Sequence, residues 1–359
     1  MTGSTIEKCV RTSLIINQAI AKRNIQRMAE KAVQSSVRLR PHCKTHQSPI
    51  IVGNWLREVG ITSVAVSSLK MAQEFAAAGW QDILIAIPAN LREAEELNAL
   101  SKMCRLGVFI ESLQVAARLA EAEAYQLDIW LKIDSGYGRT GVRYDDSDTI
   151  VRLAKSCRQF GLKLRGIATH AGHSYNAISK EQIARIFHET VEYMISSQQR
   201  LREEGIEVEI STGDTPGCST VNDFGLVDEV RAGNFVYYDL MQKKIGSCSR
   251  EDIAVAVACP VLALQNRRNE VVLHGGAVHL SKDVLQDEQS RSVYGVAYPL
   301  SENGWNLDAK GAVLRKLSQE HGIMEMPEGW TVQPGDLVAV LPVHSCLAAN
   351  LLKGEEIVL

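Results

Sequence analysis

Residues 82–134 read DILIAIPANLREAEELNALSKMCRLGVFIESLQVAARLAEAEAYQLDIWLKID, and this stretch decides the fold. Asp82–Ile87 is a short run of branched residues followed by an amphipathic segment, Arg92–Lys102. Leu106–Ile110 and Leu113–Ala124 repeat that unit, and Leu127–Asp134 opens the next, continued by Thr149–Phe160. Strands separated by ten or more helical residues are too far apart for hairpins, so they need crossovers and pair in parallel. Upstream, Val37–Thr45 with Pro49–Val59 and Ser63–Ser67 with Lys70–Ala78 keep the rhythm. Downstream come Lys163–His170 with Lys180–Glu204, Val208–Thr212 with a short helix around Val221–Phe224, and Val230–Tyr238 as the eighth strand. Eight near-equal units predict a closed (β/α)8 TIM-type barrel, and the absence of a reversal point disfavours an open doubly wound sheet.

Past about Ile245 the pattern changes. Ala254–Leu264, Val271–His274, Arg291–Tyr298, Leu337–Val343 and Glu356–Leu359 are strand-like, broken by Gly, Pro and Asn turns. They predict a C-terminal all-β domain. The expected division is a barrel over 18–245 and a β-domain over 246–359. At 359 residues two domains are in any case the natural expectation.

The chain carries 39 basic and 42 acidic residues, a formal charge of −3, with no concentrated basic patch, which argues against a nucleic-acid partner. The longest uncharged apolar run, Ile253 to Asn266, is too short to span a bilayer. The opening MTGSTIEKCVRTSL lacks the apolar stretch of a secretory signal, and the eight cysteines form no CxxC pair. Together these predict a cytoplasmic protein with reduced thiols and no membrane association.

Catalytic groups of such barrels collect where strands end. The first strand ends in Arg38-Leu39-Arg40-Pro41-His42-Cys43-Lys44-Thr45-His46, where strand alternation puts Arg40, His42, Lys44 and His46 on one side. Neighbouring cations favour the neutral form of an amine, which suits imine formation with an aldehyde; a solvated basic loop is the alternative. Gly136, Gly138 and Gly141 spell G-x-G-x-x-G, but a dinucleotide fingerprint opens a helix at once, whereas this one runs into Val142-Arg143-Tyr144-Asp145-Asp146. The glycines better serve a tight turn that lets Arg139 reach a bound ring. Ser211-Thr212-Gly213-Asp214-Thr215-Pro216-Gly217 follows the seventh strand, and Gly233-Asn234 lies within the eighth. Barrels usually hold phosphate at this strand pair, so Thr215 offers a hydroxyl and Gly233 and Asn234 their amides, unless these are plain turns. In Pro342-Val343-His344-Ser345-Cys346, spacing two on a strand projects His344 and Cys346 to one face, where they can share a metal ion. A buried thiol beside a structural histidine is the alternative, and His170 with His173 is a weaker metal pair.

RPHCKTHQSP resembles the cofactor-lysine motif of the D-threonine aldolase and D-serine dehydratase family, pyridoxal-phosphate enzymes of the alanine-racemase fold type. The resemblance continues in order. Asp134–Gly141 resembles the family's D-x-G-x-x-R-x-G, and Thr169–Tyr175 its HxGHSY element. Arg231–Asp239 resembles RPGN-x-x-x-YD, and His344–Cys346 the metal-binding His-x-Cys or His-x-Asp. It implies that Lys44 carries the Schiff base and takes the α-proton. It further implies that Arg139, His170, Tyr175, Thr215, Gly233 and Asn234 bind pyridoxal 5'-phosphate, and that His344 and Cys346 bind a divalent metal. A thiolate ligand favours zinc, with manganese or cobalt as alternatives. The resemblance implies that Met1–Asn17 join the β-domain, and that the protein is a homodimer acting on a small D-amino acid with a β-hydroxyl.

Family members with dehydratase activity tend to carry His-x-Cys. The resemblance therefore implies a D-serine or D-3-hydroxyaspartate type dehydratase giving a 2-oxo acid and ammonia. Retro-aldol cleavage to glycine and an aldehyde, as in D-threonine aldolase, is the alternative. An amino-acid racemase and a non-catalytic pyridoxal-phosphate-binding protein fit less well: the first needs no metal, and the second generally lacks the β-domain. His274-Gly275-Gly276-Ala277-Val278-His279-Leu280-Ser281-Lys282-Asp283 opens with histidine where many members have an acidic residue.

Overall fold

The computed structural model describes residues 9–359; residues 1–8 of the expected N-terminal segment lie outside it. Among the described residues, eight parallel strands form one sheet in the order Ser63–Val66, Asp82–Pro88, Arg105–Ile110, Asp128–Asp134, Lys163–Ala168, Glu209–Thr212, Glu229–Val230 and Arg38–Leu39. The ends of this sheet meet: Cys43 N–H donates to the Ala65 carbonyl at 2.7 Å, and Ala65 N–H to that of Pro41 at 2.9 Å. The result is the expected (β/α)8 barrel. Its helices start where small polar residues allow it: Ser68, Ser112, Asp146, Ser179 and Asp214 each accept a hydrogen bond from a first-turn amide.

Packing explains the glycines in the two strands that flank Asp128–Asp134. The Trp130 indole fills the barrel interior with Ala65, Leu84, Phe109 and Ala168. A Cβ at Gly166 would lie 2.4 Å from the Trp130 ring, and one at Gly107 would lie 2.9 Å from Leu84. One large side chain thus occupies the room that its neighbours vacate.

Several element boundaries differ from expectation. The first strand is regular only over Arg38–Leu39, because Pro41 has no N–H to donate and the chain turns at His42–His46. The eighth is regular only over Glu229–Val230, so Gly233 and Asn234 follow it rather than lie within it. Gly233 is needed there, since its Cβ would meet the His42 carbonyl at 2.5 Å. The short helix after the seventh strand is Thr215–Thr220, started by Asp214 as cap and Pro216 in its first turn, not the segment around Val221–Phe224. An unforeseen helix, Gln18–Gln34, precedes the first barrel strand.

The second unit is antiparallel. Val255–Gln265, Glu270–His274, His321–Glu325, Ala312–Leu317, Gly295–Ser301 and Leu337–Pro342 pair in sequence and return to Val255–Gln265, a closed six-stranded barrel. Ser13–Ile16 joins its sheet, antiparallel to Val255–Ala258 and parallel to Glu356–Val358. Two strands of the hairpin, Ala312–Leu317 and His321–Glu325, were not expected. One compact unit comprises residues 25–44 and 48–235. The other comprises the described residues before 25 together with 45–47 and 236–359, against the expected divisions at 18 and 245.

Candidate active site

In the barrel unit Lys44 is exposed in the turn after the first strand. The expected common face of Arg40, His42, Lys44 and His46 does not form, because no strand continues through them. Arg40 is buried instead, bonded at 2.7 Å both to Glu229 and to Asp82, the first residues of their strands. Burial would raise the Glu229 carboxyl, but Arg40, Arg38 and Arg231 outweigh it and hold the group near 2. Arg40 is therefore part of an ion-pair network at the strand starts, away from the end where Lys44 stands.

The glycine-rich turn behaves as expected. Gly136, Gly138 and Gly141 have φ of +113°, +74° and +115°, and Val142–Arg143 then pairs with Ile133–Asp134 instead of opening a helix. The Arg139 guanidinium lies 5.0 Å from the Tyr137 ring centroid, and Tyr137 stands edge-on to His170 at 5.9 Å. Tyr175 flanks the same imidazole at 6.3 Å. His170 follows the sixth strand by two residues, and its Nδ1–H donates to the Gly213 carbonyl at 2.9 Å, leaving Nε2 bare. Burial, then the charges of Lys44, Arg139 and Lys132, push its pKa down to about 3, so the ring is neutral. Lys44, Arg139, His170 and Tyr175 thus converge.

Thr215, Gly233 and Asn234 also come together. The Thr215 hydroxyl accepts from the amides of Asn234 at 3.0 Å and Gly233 at 3.4 Å, which leaves its own proton to donate. Asp214 turns onto its own helix, accepting from Gly217 N–H at 2.6 Å and the Ser174 hydroxyl at 2.7 Å, while burial raises its carboxyl to about 6. A Thr215 proton left to donate, with the two amides that bind its oxygen beside it at the ends of the seventh and eighth strands, an exposed amine and a neutral imidazole between aromatic rings fit a phosphorylated aromatic aldehyde.

In the β-domain unit His344 and Cys346 adjoin, but not on a strand. The strand ends at Pro342, His344 caps the helix Ser345–Leu351, and Cys346 lies in its first turn. Asp239 imposes this turn, since its carboxylate accepts from the Ser345 amide at 3.0 Å and hydroxyl at 3.2 Å. His344 Nδ1 is 2.9 Å from Asp283 Oδ2; a carboxylate accepts, so Nδ1 carries the proton and Nε2 is the nitrogen left for a ligand. Burial would lower the His344 pKa, but the Cys346 sulfur, Asp239 and Asp283 raise it to about 9. Thr45 Oγ1 is 3.2 Å from the buried Cys346 Sγ. A thiol and an imidazole whose Nδ1 is held by a carboxylate fit a borderline metal cation, which would take Nε2 in exchange for the proton there.

Four functional-site neighbours went unrecognised in the sequence. Asp283 and Thr45 support the His344–Cys346 pair, and both stood in quoted stretches with no spacing rule to single them out. Arg231 is buried with its guanidinium on the Ser211 hydroxyl and the Thr169 carbonyl, so burial pulls its pKa down to about 10. Lys132, in the middle of an apolar strand, is buried beside Arg231 and Arg139 and is lowered to about 7. Its signal was a lysine amid Trp130, Leu131 and Ile133.

The alanine racemase N-terminal domain family matches residues 16–240, and the serine dehydratase domain family residues 254–355. A D-threo-3-hydroxyaspartate dehydratase from Delftia sp. (strain HT23) is 30% identical over 341 residues, 90% of this chain and 88% of its own. The D-serine dehydratase of Dictyostelium discoideum is 26% identical, covering 96% and 92%. The D-threonine aldolase of an Arthrobacter sp. is 28% identical over 66% of this chain and 63% of its own. The solved Delftia dehydratase superposes with a TM-score of 0.88 at 28% identity, over 98% of this chain and 94% of its own. A histidine-to-alanine mutant and a cysteine-to-alanine mutant of a D-threo-3-hydroxyaspartate dehydratase, the latter in a metal-free form, superpose equally well, at 0.88 and 0.89. The chain belongs to the alanine-racemase-like, pyridoxal-phosphate-dependent family of D-serine dehydratases and D-threonine aldolases.

Proposed function

We propose that this protein is a lyase that dehydrates a D-β-hydroxy amino acid of the D-serine or D-threo-3-hydroxyaspartate type, giving a 2-oxo acid and ammonia. The observation that carries this reading is the His344–Cys346 pair with Asp283 on Nδ1. In the two mutant structures of a D-threo-3-hydroxyaspartate dehydratase the histidine and the cysteine that are changed are two residues apart, as His344 and Cys346 are. The Lys44 amine would hold the cofactor aldehyde, and Thr215, Gly233 and Asn234 its phosphate. His170 and Tyr175 would flank the ring, with Arg139 beside it. His344 Nε2 and Cys346 Sγ would hold the metal, which we infer to be zinc, with manganese or cobalt as alternatives.

Bound pyridoxal phosphate would supply an electron sink at the α-carbon, and the metal a Lewis acid for the β-oxygen. Lys44, exposed in the turn after the first strand, would be the base for the α-proton. His170 stays neutral and therefore adds no positive charge where Arg139 and Lys132 already supply it. Two protein ligands leave metal positions open for water and substrate.

Product analysis tests the reading. Incubation with D-serine, D-threonine and D-threo-3-hydroxyaspartate should release pyruvate, 2-oxobutyrate or oxaloacetate with ammonia. Glycine with an aldehyde would assign retro-aldol cleavage instead, which the resemblance to the Arthrobacter aldolase keeps as the second reading. Cytoplasmic residence agrees with eight cysteines that form no disulfide. The homodimer expected from the family is tested by light scattering on the purified protein.

A further inference from the structure

The strand Glu270–His274 ends on a histidine, and the chain runs through Gly275 and Gly276 into a single helical turn, Ala277–Leu280, that carries His279. Against it lies the turn Ser318–Glu320, between Ala312–Leu317 and His321–Glu325. Three backbone bonds fasten the two: Gly275 N–H to the Glu320 carbonyl at 3.1 Å, Ala277 N–H to Ser318 at 2.8 Å and Val278 N–H to Gln319 at 3.2 Å. Gly276 permits the approach, since a Cβ there would sit 2.2 Å from the Gln319 oxygen. Three side chains meet as a result. One ligand atom each from His274, His279 and Glu320 lies within 4.8 Å of the other two. His274 Nε2 is 3.8 Å from Glu320 Oε2, and the two imidazoles stand edge to face at 5.2 Å.

We propose that His274, His279 and Glu320 form a second metal site, separate from His344 and Cys346, that takes a borderline transition-metal cation such as zinc. Two imidazoles with one carboxylate select such ions over magnesium or calcium, which prefer all-oxygen shells. A tetrahedral ion about 2.1 Å from each ligand sets the ligand atoms about 3.4 Å apart. The half-exposed side chains of His274 and Glu320 therefore close in by little more than an ångström at the widest. His279 Nδ1 now accepts from Gly276 N–H at 3.2 Å, so ligation through either nitrogen sacrifices one long hydrogen bond. Three protein ligands leave a fourth position for water. The ion would tie a strand end, a helical turn and a hairpin turn together four residues before Asp283.

The test is zinc stoichiometry in full-length protein from which the other site has been removed. His344→Ala/Cys346→Ala protein, stripped with a chelator and dialysed against zinc, should retain one zinc per chain by mass spectrometry. Adding His279→Ala should abolish it with an unchanged circular dichroism spectrum. No zinc in the first protein, or the same zinc in the second, overturns the proposal. Anomalous scattering at the zinc edge from zinc-soaked wild-type crystals gives a measurement without variants. A peak among the three side chains supports the site, and a peak confined to His344 and Cys346 overturns it.

Discussion

Replacing Asp283 with alanine tests whether the carboxylate on His344 Nδ1 prepares a metal ligand. The 2.9 Å bond keeps a proton on Nδ1, so that a metal displaces the one on Nε2; without it the ring is free to keep its proton on Nε2 or to rotate. A charge-assisted hydrogen bond is worth about 1.5–3 kcal/mol. His344 and Asp283 side chains are 32% and 33% exposed, and solvent screening moves the expectation to the lower part of that range, about 1.5–2 kcal/mol. At about 1.4 kcal/mol per tenfold, zinc affinity should fall about 10- to 30-fold, within the range usual for loss of a carboxylate behind a metal-bound histidine. Asp283→Asn keeps an acceptor oxygen and should lose only a few-fold. The assay is a competitive titration against a chromogenic chelator, with cofactor absorbance followed in parallel and expected to stay constant. An Asp283→Ala affinity within twofold of wild type would refute the reasoning.

Other perturbations address the barrel. Lys44→Ala should remove the yellow colour and the borohydride-reducible link to cofactor; persistence of either in the purified variant excludes Lys44 as the anchor. Trp130→Ala leaves a cavity between Gly107 and Gly166 and should cost about 3–5 kcal/mol in denaturant unfolding, whereas a loss under 1 kcal/mol would mean that the interior collapses around it. Asp214 holds its proton more tightly folded than unfolded, so its contribution is most favourable below pH 3.8, declines as pH rises to about 6, and is flat above. Asp214→Asn keeps the cap acceptor and escapes that decline. Its stability relative to wild type should climb by up to about 3 kcal/mol across that window, and a pH-independent difference counts against the buried-carboxylate account.

The barrel was legible because each unit carries its own period: apolar strands buried on both faces, amphipathic helices, and Ser or Asp caps that fix helix starts locally. Lys44, Thr215, Gly233, Asn234, His344 and Cys346 lay in recognisable motifs. The misreadings occurred where tertiary contact overrides local pattern. Arg38–His46 alternates as a strand would, but Pro41 breaks the ladder and Glu229, almost two hundred residues on, draws Arg40 to the strand starts. Val230–Tyr238 is apolar enough for a strand, yet Gly233 must pass against His42. Pro342–Cys346 looked extended because nothing within it shows that Asp239 will cap Ser345. The hairpin Ala312–Glu325 has no Asn-Gly or Asp-Gly at its turn and was missed for that reason. The aromatic setting of His170 depends on Tyr137 and Tyr175, which only the glycine-rich turn and the loop after the sixth strand bring beside it.

The strand Ser13–Ile16 has a temporal consequence. It leaves the ribosome long before its partners, since Ser13 pairs with Ala258 and Leu14 with Glu356, both more than two hundred residues further along the chain. At about 5–20 residues per second that is a wait of tens of seconds, during which an apolar edge must avoid strangers. The barrel unit waits less: Arg38–Leu39 meets Glu229–Val230 almost two hundred residues on, and its other strands pair with near neighbours in sequence. Synthesis should therefore pass through a state with a finished barrel and an unfinished β-domain. Chains that lack the strand Glu356–Val358 should fail at that stage, accumulating as aggregation-prone molecules whose defect lies far along the chain from the strand left exposed.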